Sequence, residues 1–368
     1  MEFGARGVRV RRRWIGPAAA AGLTAALWPA GAFAAPNNHA SQIAGAVERG
    51  ASHERCAAND PDVAIAACTT LIEASDQAPP DLADAYNDRG IAHVAKSEFD
   101  LAVHDFDQAI ALEPSHGELY FNRGIAYDGE GKKEQAVADY GQAIGLKTRD
   151  LDAYLRRAKD YADEEMWDQA ISDWTHVIGL RPDYAEAYDA RGVAYHHKGL
   201  LDKAVADLAK AIGLRAGYAQ AYIDLAAVYI SKGHFDEAIA DCTEALRLEP
   251  ANSDAYLNRS AAYMSKGEFR LAIADATWAI SLKPDDPQAY NNRAGAEVQS
   301  LLLDPAIADA TKAISLKADY AMAYVNRAAA YEARGQHDPA VADYRAALAI
   351  DESLQLARAG LSRLGAPP

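Results

Sequence analysis

The sequence predicts an all-α solenoid, and three columns of residues carry the prediction. Within 368 residues, tyrosine stands at Tyr86, Tyr120, Tyr154, Tyr188, Tyr222, Tyr256, Tyr290 and Tyr324, always 34 residues apart. Four residues after each comes a small one: Gly90, Gly124, Ala158, Gly192, Ala226, Ser260, Ala294 and Ala328. Sixteen after it comes alanine, from Ala102 and Ala136 to Ala306 and Ala340. Columns that hold phase through eight units without an insertion mark a repeat array. No single unit of such an array buries its apolar face alone, so stability is a sum over neighbour contacts.

The elements follow in chain order. An arginine-rich start (Arg6, Arg9, Arg11, Arg12, Arg13) precedes an Ala/Leu-rich run that ends at Gly31-Ala32-Phe33-Ala34-Ala35. A basic n-region, an apolar h-region and an Ala-x-Ala exit read as a signal peptide over 1–34, followed by a linker over 35–48. The alternative is an uncleaved anchor in the inner membrane, since Trp14 to Ala35 is long enough to span. Gly16, Pro17, Pro29 and Gly31 make it a weak span. Export permits a disulfide between Cys56 and Cys68, which flank the helix-start signal Asp60-Pro61-Asp62. The other reading of the pair is two small buried hydrophobes. Cys242 has no partner in the sequence and reads as core.

Each 34-residue unit reads as two helices joined by a turn that usually holds glycine (Gly131, Gly199, Gly233, Gly267, Gly335). The second helix is expected to open on an aspartate cap at Asp100, Asp168, Asp202, Asp236, Asp304 or Asp338. Phe99, Trp167, Phe235 and Phe269 before those caps read as hydrophobic staples. Asp183, Ser115 and Asp285 are the expected caps of the following first helices. After the array, Leu354, Leu356, Ala357, Leu361 and Leu364, with Arg358 and Arg363 between them, read as a C-terminal capping helix and tail over 355–368.

Tyr120-Phe121-Asn122-Arg123-Gly124-Ile125-Ala126-Tyr127 with Ala136, Tyr140 and Ala143 resembles a tetratricopeptide repeat (TPR). So does Tyr256-Leu257-Asn258-Arg259-Ser260 with Ala272, Ala279 and Pro284. The resemblance covers eight full units (83–116, 117–150, 151–184, 185–218, 219–252, 253–286, 287–320, 321–354) and a degenerate TPR-like hairpin over 49–82. Glu297 and His93 stand where a packing aromatic belongs. The resemblance implies a right-handed superhelix whose concave groove is lined by the first helix of each unit.

Two further columns carry charge. Arginine lies three after the tyrosine in seven units (Arg89, Arg123, Arg157, Arg191, Arg259, Arg293, Arg327), and aspartate nineteen after it in all eight (Asp105, Asp139, Asp173, Asp207, Asp241, Asp275, Asp309, Asp343). We expect a ladder of Arg–Asp pairs along the helix seams, broken at Leu225. Asparagine stands beside the arginine at Asn122, Asn258, Asn292 and Asn326. A carboxamide both donates and accepts, so a row of them can pair with an extended peptide backbone. This is similar to the asparagine ladder of the TPR superhelix in O-linked N-acetylglucosamine transferase. With Leu257, Met264, Asn291 and Val325 these asparagines form the expected partner-binding groove.

The net charge is −16; the first 13 residues contribute +4, so removal of the leader leaves −20. Such a body repels nucleic acid and anionic lipid, and suits a basic or neutral protein or peptide partner. The sequence holds no Gly-rich phosphate loop, nucleophile elbow or zinc-type Cys/His spacing. His196-His197 reads as a solvated helix end. No catalytic residue, cofactor or metal site is therefore expected, and no stable membrane insertion once the leader is removed. The expected function is a non-enzymatic scaffold of the bacterial envelope, periplasmic or secreted, that holds a partner in its groove. The alternatives are a self-assembling envelope component and a regulatory subunit that positions a separate enzyme.

Overall fold

The computed structural model describes Cys56, Ala58 and residues 60–74, 78–146 and 151–367. The expected signal peptide and linker lie outside the described residues, as does most of 49–59. Eighteen helices and no strand occur among the described residues. They fall into two compact units, divided along the chain between Pro182 and Asp183.

The first unit holds α1 (Pro61–Glu73), α2 (Pro79–Ala95), α3 (Phe99–Leu112), α4 (Gly117–Glu130), α5 (Lys133–Gly145), α6 (Leu151–Asp163) and α7 (Trp167–Leu180). Asp60 caps α1 by accepting from the backbone N–H of Asp62 and Val63, with Pro61 in the first turn. Cys56 and Cys68 form a disulfide buried against Leu71 and Ala85. Pro79 and Pro80 occupy the first two positions of α2, where a missing N–H costs no hydrogen bond.

The second unit holds α8 (Ala185–His197), α9 (Leu201–Leu214), α10 (Ala219–Lys232), α11 (Phe235–Leu248), α12 (Ser253–Lys266), α13 (Phe269–Leu282), α14 (Pro287–Gln299), α15 (Leu303–Leu316), α16 (Ala321–Ala333), α17 (His337–Ile350) and α18 (Gln355–Arg363). Even-numbered helices from α2 to α16 are the first helices of the repeats, and the odd-numbered ones that follow are the second. Within each unit, every first helix packs on its own second helix, which packs on the next first helix. The last helix, α18, closes the stack: Ala357 and Leu361 are buried against Tyr344 and Leu348. Leu356 stays at the surface.

The small column explains how close the paired helices come. A Cβ placed on Gly90 would lie 2.7 Å from the Phe106 ring, and one on Gly124 2.7 Å from the Tyr140 ring. Ser260 fits the same slot by donating its hydroxyl to the Ala272 carbonyl at 2.8 Å. The alanine sixteen after the tyrosine is fully buried in all eight repeats.

The caps differ from the sequence expectation. The second helices begin two residues earlier, so Phe99, Trp167, Phe235 and Phe269 are their first residues and not staples. The expected aspartates sit inside the first turn, and no side-chain cap bond forms at the residues that precede these helices. Their charge still complements the helix N-terminus there. Three also reach forward: Asp202, Asp236 and Asp304 accept from Lys232, Lys266 and Arg334 near the end of the next first helix. Among first helices, Asn252 and Asp286 are the side chains that cap in the second unit.

Candidate functional site: the row of first helices

Seven arginines bind the aspartates of their own repeats through a two-pronged contact. In each, Nε and Nη2 donate to the two carboxylate oxygens: Arg89 to Asp105 at 2.8 and 2.7 Å, Arg123 to Asp139 at 2.7 and 2.8 Å, Arg259 to Asp275 at 2.7 and 2.9 Å. Arg327 meets Asp343 at 2.7 and 2.8 Å, and Arg293 meets Asp309 in the same way. Arg157–Asp173 and Arg191–Asp207 complete the set. This fork is the strong geometry for an ion pair. The aspartates of these pairs are all buried.

Two features of the arginine were not legible from the pairing alone. Its third donor, Nη1, reaches back to the preceding repeat, to Thr69, Asp107, Thr243, Thr277 and Thr311 from Arg89, Arg123, Arg259, Arg293 and Arg327. Its flat face lies over the column tyrosine three residues before, at 5.5–5.9 Å. Arg123, Arg157, Arg191 and Arg259 also lie over a second tyrosine four residues after. One guanidinium therefore ties two helices of its own repeat to the repeat before it. Recurrence of threonine 21 after the tyrosine in four units (Thr175, Thr243, Thr277, Thr311) was the signal available for the back contact.

Where the second aromatic is missing, the carboxyl chemistry changes. His93 takes that place in the first repeat, and its Nδ1 lies 2.7 Å from Glu98 Oε2. Glu297 takes it in the seventh; burial next to Asp309 pushes its carboxyl up to about 7. Leu225 replaces the arginine itself, and Asp241 Oδ2 is buried with no donor.

The asparagines make bonds within the array. Asn122 Nδ2 donates to Asn87 Oδ1 at 2.9 Å, Asn258 to the Ile223 carbonyl at 3.3 Å, and Asn292 to the Leu257 carbonyl at 3.5 Å. Asn326 donates to the Asn291 carbonyl at 3.2 Å and to Asn291 Oδ1 at 2.8 Å. Every bond spans 35 residues and joins one first helix to the preceding first helix. Each of these asparagines thus uses an amide N–H inside the array. Leu257 and Val325 are likewise core, packed with Ala279 and Ala289 and with Ala328 and Tyr344 respectively. Met264 is half-buried and lies over Gly295, where a Cβ would stand 2.7 Å from its methyl. His196 is half-buried and meets Ser231 at 2.8 Å, so it is no solvated end, and burial pushes it down to about 4.

In the second unit the first helices α8, α10, α12, α14 and α16 lie side by side in one row. The row carries carboxyls as well as amides. Asp189 accepts from the Tyr218 hydroxyl and Asp224 from Gln220, each at 3.1 Å, while Asp254 pairs with Lys283 at 2.9 Å. Burial is the first cause that raises Asp189 to about 7 and Asp224 well above the usual carboxylate range. Among the described residues no group of histidine, cysteine and carboxylate side chains is arranged to hold a metal ion.

The tetratricopeptide repeat profile matches residues 87–148, 155–219, 219–252, 253–286 and 321–354, more than half of the chain. No curated protein matches it. Among solved structures the chain is similar to a tetratricopeptide repeat protein from Parabacteroides merdae, with 20% identity and a TM-score of 0.57 over 67% of this chain and 98% of that one. It is also similar to PilW, a widely conserved type IV pilus biogenesis factor, with 18% identity and a TM-score of 0.53 over 58% of this chain and 99% of that one. Identities this low speak to the fold alone. The repeat length, the framework columns, the stacked hairpins and the matching profiles agree: this chain belongs to the tetratricopeptide repeat family, an all-α solenoid that serves protein–protein interaction.

Proposed function

We propose that the protein is a non-enzymatic scaffold outside the cytoplasm that holds a segment of a partner protein along its row of first helices. One observation carries the reading: α8, α10, α12, α14 and α16 lie edge to edge, which gives an extended segment a continuous track. Of the eight residues expected to line a groove (Asn122, Leu257, Asn258, Met264, Asn291, Asn292, Val325 and Asn326), Asn122 lies on α4 of the first unit; on the row itself Met264 supplies an apolar contact and Asn258 a buried oxygen without a donor. Export is supported by the Cys56–Cys68 disulfide together with the basic-then-apolar N-terminus. No described helix is long and apolar enough to cross a membrane.

A photo-crosslinking amino acid placed at Met264, and separately at Leu271 on the exposed side of α13, tests the track in living cells. A discrete adduct from position 264 and none from 271 is the expected outcome. Adducts from 271 alone would move recognition to the second helices and favour the self-assembling or regulatory alternatives.

A further inference from the structure

The row changes character over α8, α10 and α12. Asp189 and Asp224 are 35 residues apart, the spacing at which Asn122 donates to Asn87 and Asn326 to Asn291. At this one junction both members are carboxyls, and ionised carboxyls have no proton to donate. Asp189 is 7% exposed and Asp224 2%. One oxygen of each is satisfied by Tyr218 or Gln220, while the Oδ1 atoms are buried without a donor. A third observation comes from a neutral side chain. Asn258, 1% exposed, holds its amide nitrogen on the carbonyl just before Asp224 and leaves its own Oδ1 without a donor. Three consecutive first helices therefore present three buried acceptors with nothing to accept from.

The cations nearby are committed elsewhere. Arg215 pairs with Glu186 and stacks on the Tyr218 ring at 3.6 Å; Lys283 is taken by Asp254. Buried acceptors of this kind are costly unless a donor reaches them, and charge makes the need larger. A guanidinium, with five N–H groups in one plane, is the group whose donors outnumber these vacancies.

We propose that the stretch formed by Asp189, Asp224 and Asn258 is a receptor for a cationic side chain, arginine above all, on a basic segment of the partner protein. This rests on the scaffold reading and names the chemistry of the partner. The strongly acidic body draws such a segment in, and the three acceptors fix where its cation lodges. Burial holds both carboxyls above the ordinary aspartate range, Asp189 at about 7, and the charge of Asp189 adds to the rise at Asp224, so capture of the cation releases a proton. Glu186, Arg215, Asp254 and Lys283, the other charged groups of this stretch, are paired with one another and do not reverse that sign. Binding therefore strengthens from pH 6 to pH 8.

The test is fluorescence anisotropy of labelled nona-arginine with the full chain at physiological salt. It compares wild type, Asp189→Asn/Asp224→Asn, and the charge-matched control Asp319→Asn/Asp338→Asn at two exposed positions. Circular dichroism confirms that all three are folded. The acid-site double variant is expected to lose about tenfold in affinity and its pH dependence, while the control stays within about twofold. Equal losses in the two variants, or none in either, overturn the cation site. In that event the scaffold reading stands or falls on the Met264 crosslink, which does not depend on Asp189 or Asp224.

Discussion

The repeats over 219–252 and 253–286 are neighbours that share a tyrosine pair and a second-helix aspartate, yet differ at one residue of the rung. In the later repeat Arg259 lies between the Tyr256 and Tyr263 rings and grips Asp275 with two N–H groups. In the earlier one Leu225 is buried among Ala204, Leu208 and Val228. Both solutions pack well. The difference falls on the carboxylate: burial, with Glu237 close by, pushes Asp241 up to about 7. The arginine is thus worth little as filler. Its value is that it lets a buried aspartate keep its charge, and where it is absent the array holds a proton in its place.

The largest expected effect comes from making the sound rung resemble the broken one. Arg259→Ala leaves Asp275, 6% exposed, with neither donor of the fork, and removes the bond back to Thr243. Breaking one side of a buried pair costs about 3–5 kcal/mol; Arg259 keeps some solvent contact, so about 2–4 kcal/mol is expected here. Urea denaturation reads it directly. Arg259→Lys keeps the charge but loses the planar fork, and recovery of less than about half the loss is expected. Full stability in either variant would reduce the rung to a solvated charge face.

Much of the fold was legible because its determinants recur. A column seen eight times averages out local noise, and the Tyr, small-residue and alanine columns each encode a packing distance. The Arg–Asp spacing was legible for the same reason, since both residues repeat at one offset. The internal bonds of the asparagine row were not legible, because a carboxamide has two ends and sequence spacing does not say which neighbour claims the donor. At 35 residues the preceding first helix supplies a carbonyl at hydrogen-bonding distance. Helix starts shifted for a related reason: aspartate is favoured throughout the first helical turn, so its recurrence marks the turn and not the cap position. The acceptor set at Asp189, Asp224 and Asn258 escaped notice because these residues occupy two adjacent columns, and only the 35-residue contact brings them into one register.

A smaller effect, of opposite sign, should follow from repairing the broken rung. Tyr222 and Tyr229 already stand three residues before and four after position 225. Leu225→Arg therefore places a guanidinium between two rings and within reach of Asp241. The back contact would be missing, because Ala209 occupies the threonine column of the preceding repeat. Against the lost burial of leucine, a net gain of about 1 kcal/mol is expected, seen as a higher midpoint in thermal denaturation at pH 8. A loss would mean that the apolar packing of Leu225 with Leu208 outweighs the charge pairing.

The smallest effect is the pH dependence that Asp241 confers, and its sign follows from linkage. The folded state holds this carboxyl near 7, far above an unfolded aspartate near ~3.9. Between those values the folded chain binds the extra proton, so stability falls as pH rises from about 4 to about 7 and is flat beyond. Glu297, Asp189 and Asp160 are raised to about 7 as well and act in the same direction. The wild-type chain is therefore expected to be more stable at pH 5 than at pH 8, against the usual trend for acidic proteins. Asp241→Asn should remove about 1 kcal/mol of that difference, the partial solvation of the carboxyl keeping the contribution modest. Leu225→Arg should flatten the same portion by the opposite route, giving the carboxylate a partner instead of abolishing it. The two effects on pH dependence should then fail to add, and urea midpoints for both single variants and the double at pH 5 and pH 8 measure this. Full additivity would show that the arginine at 225 never reaches Asp241, and that the missing rung cannot be rebuilt from one side.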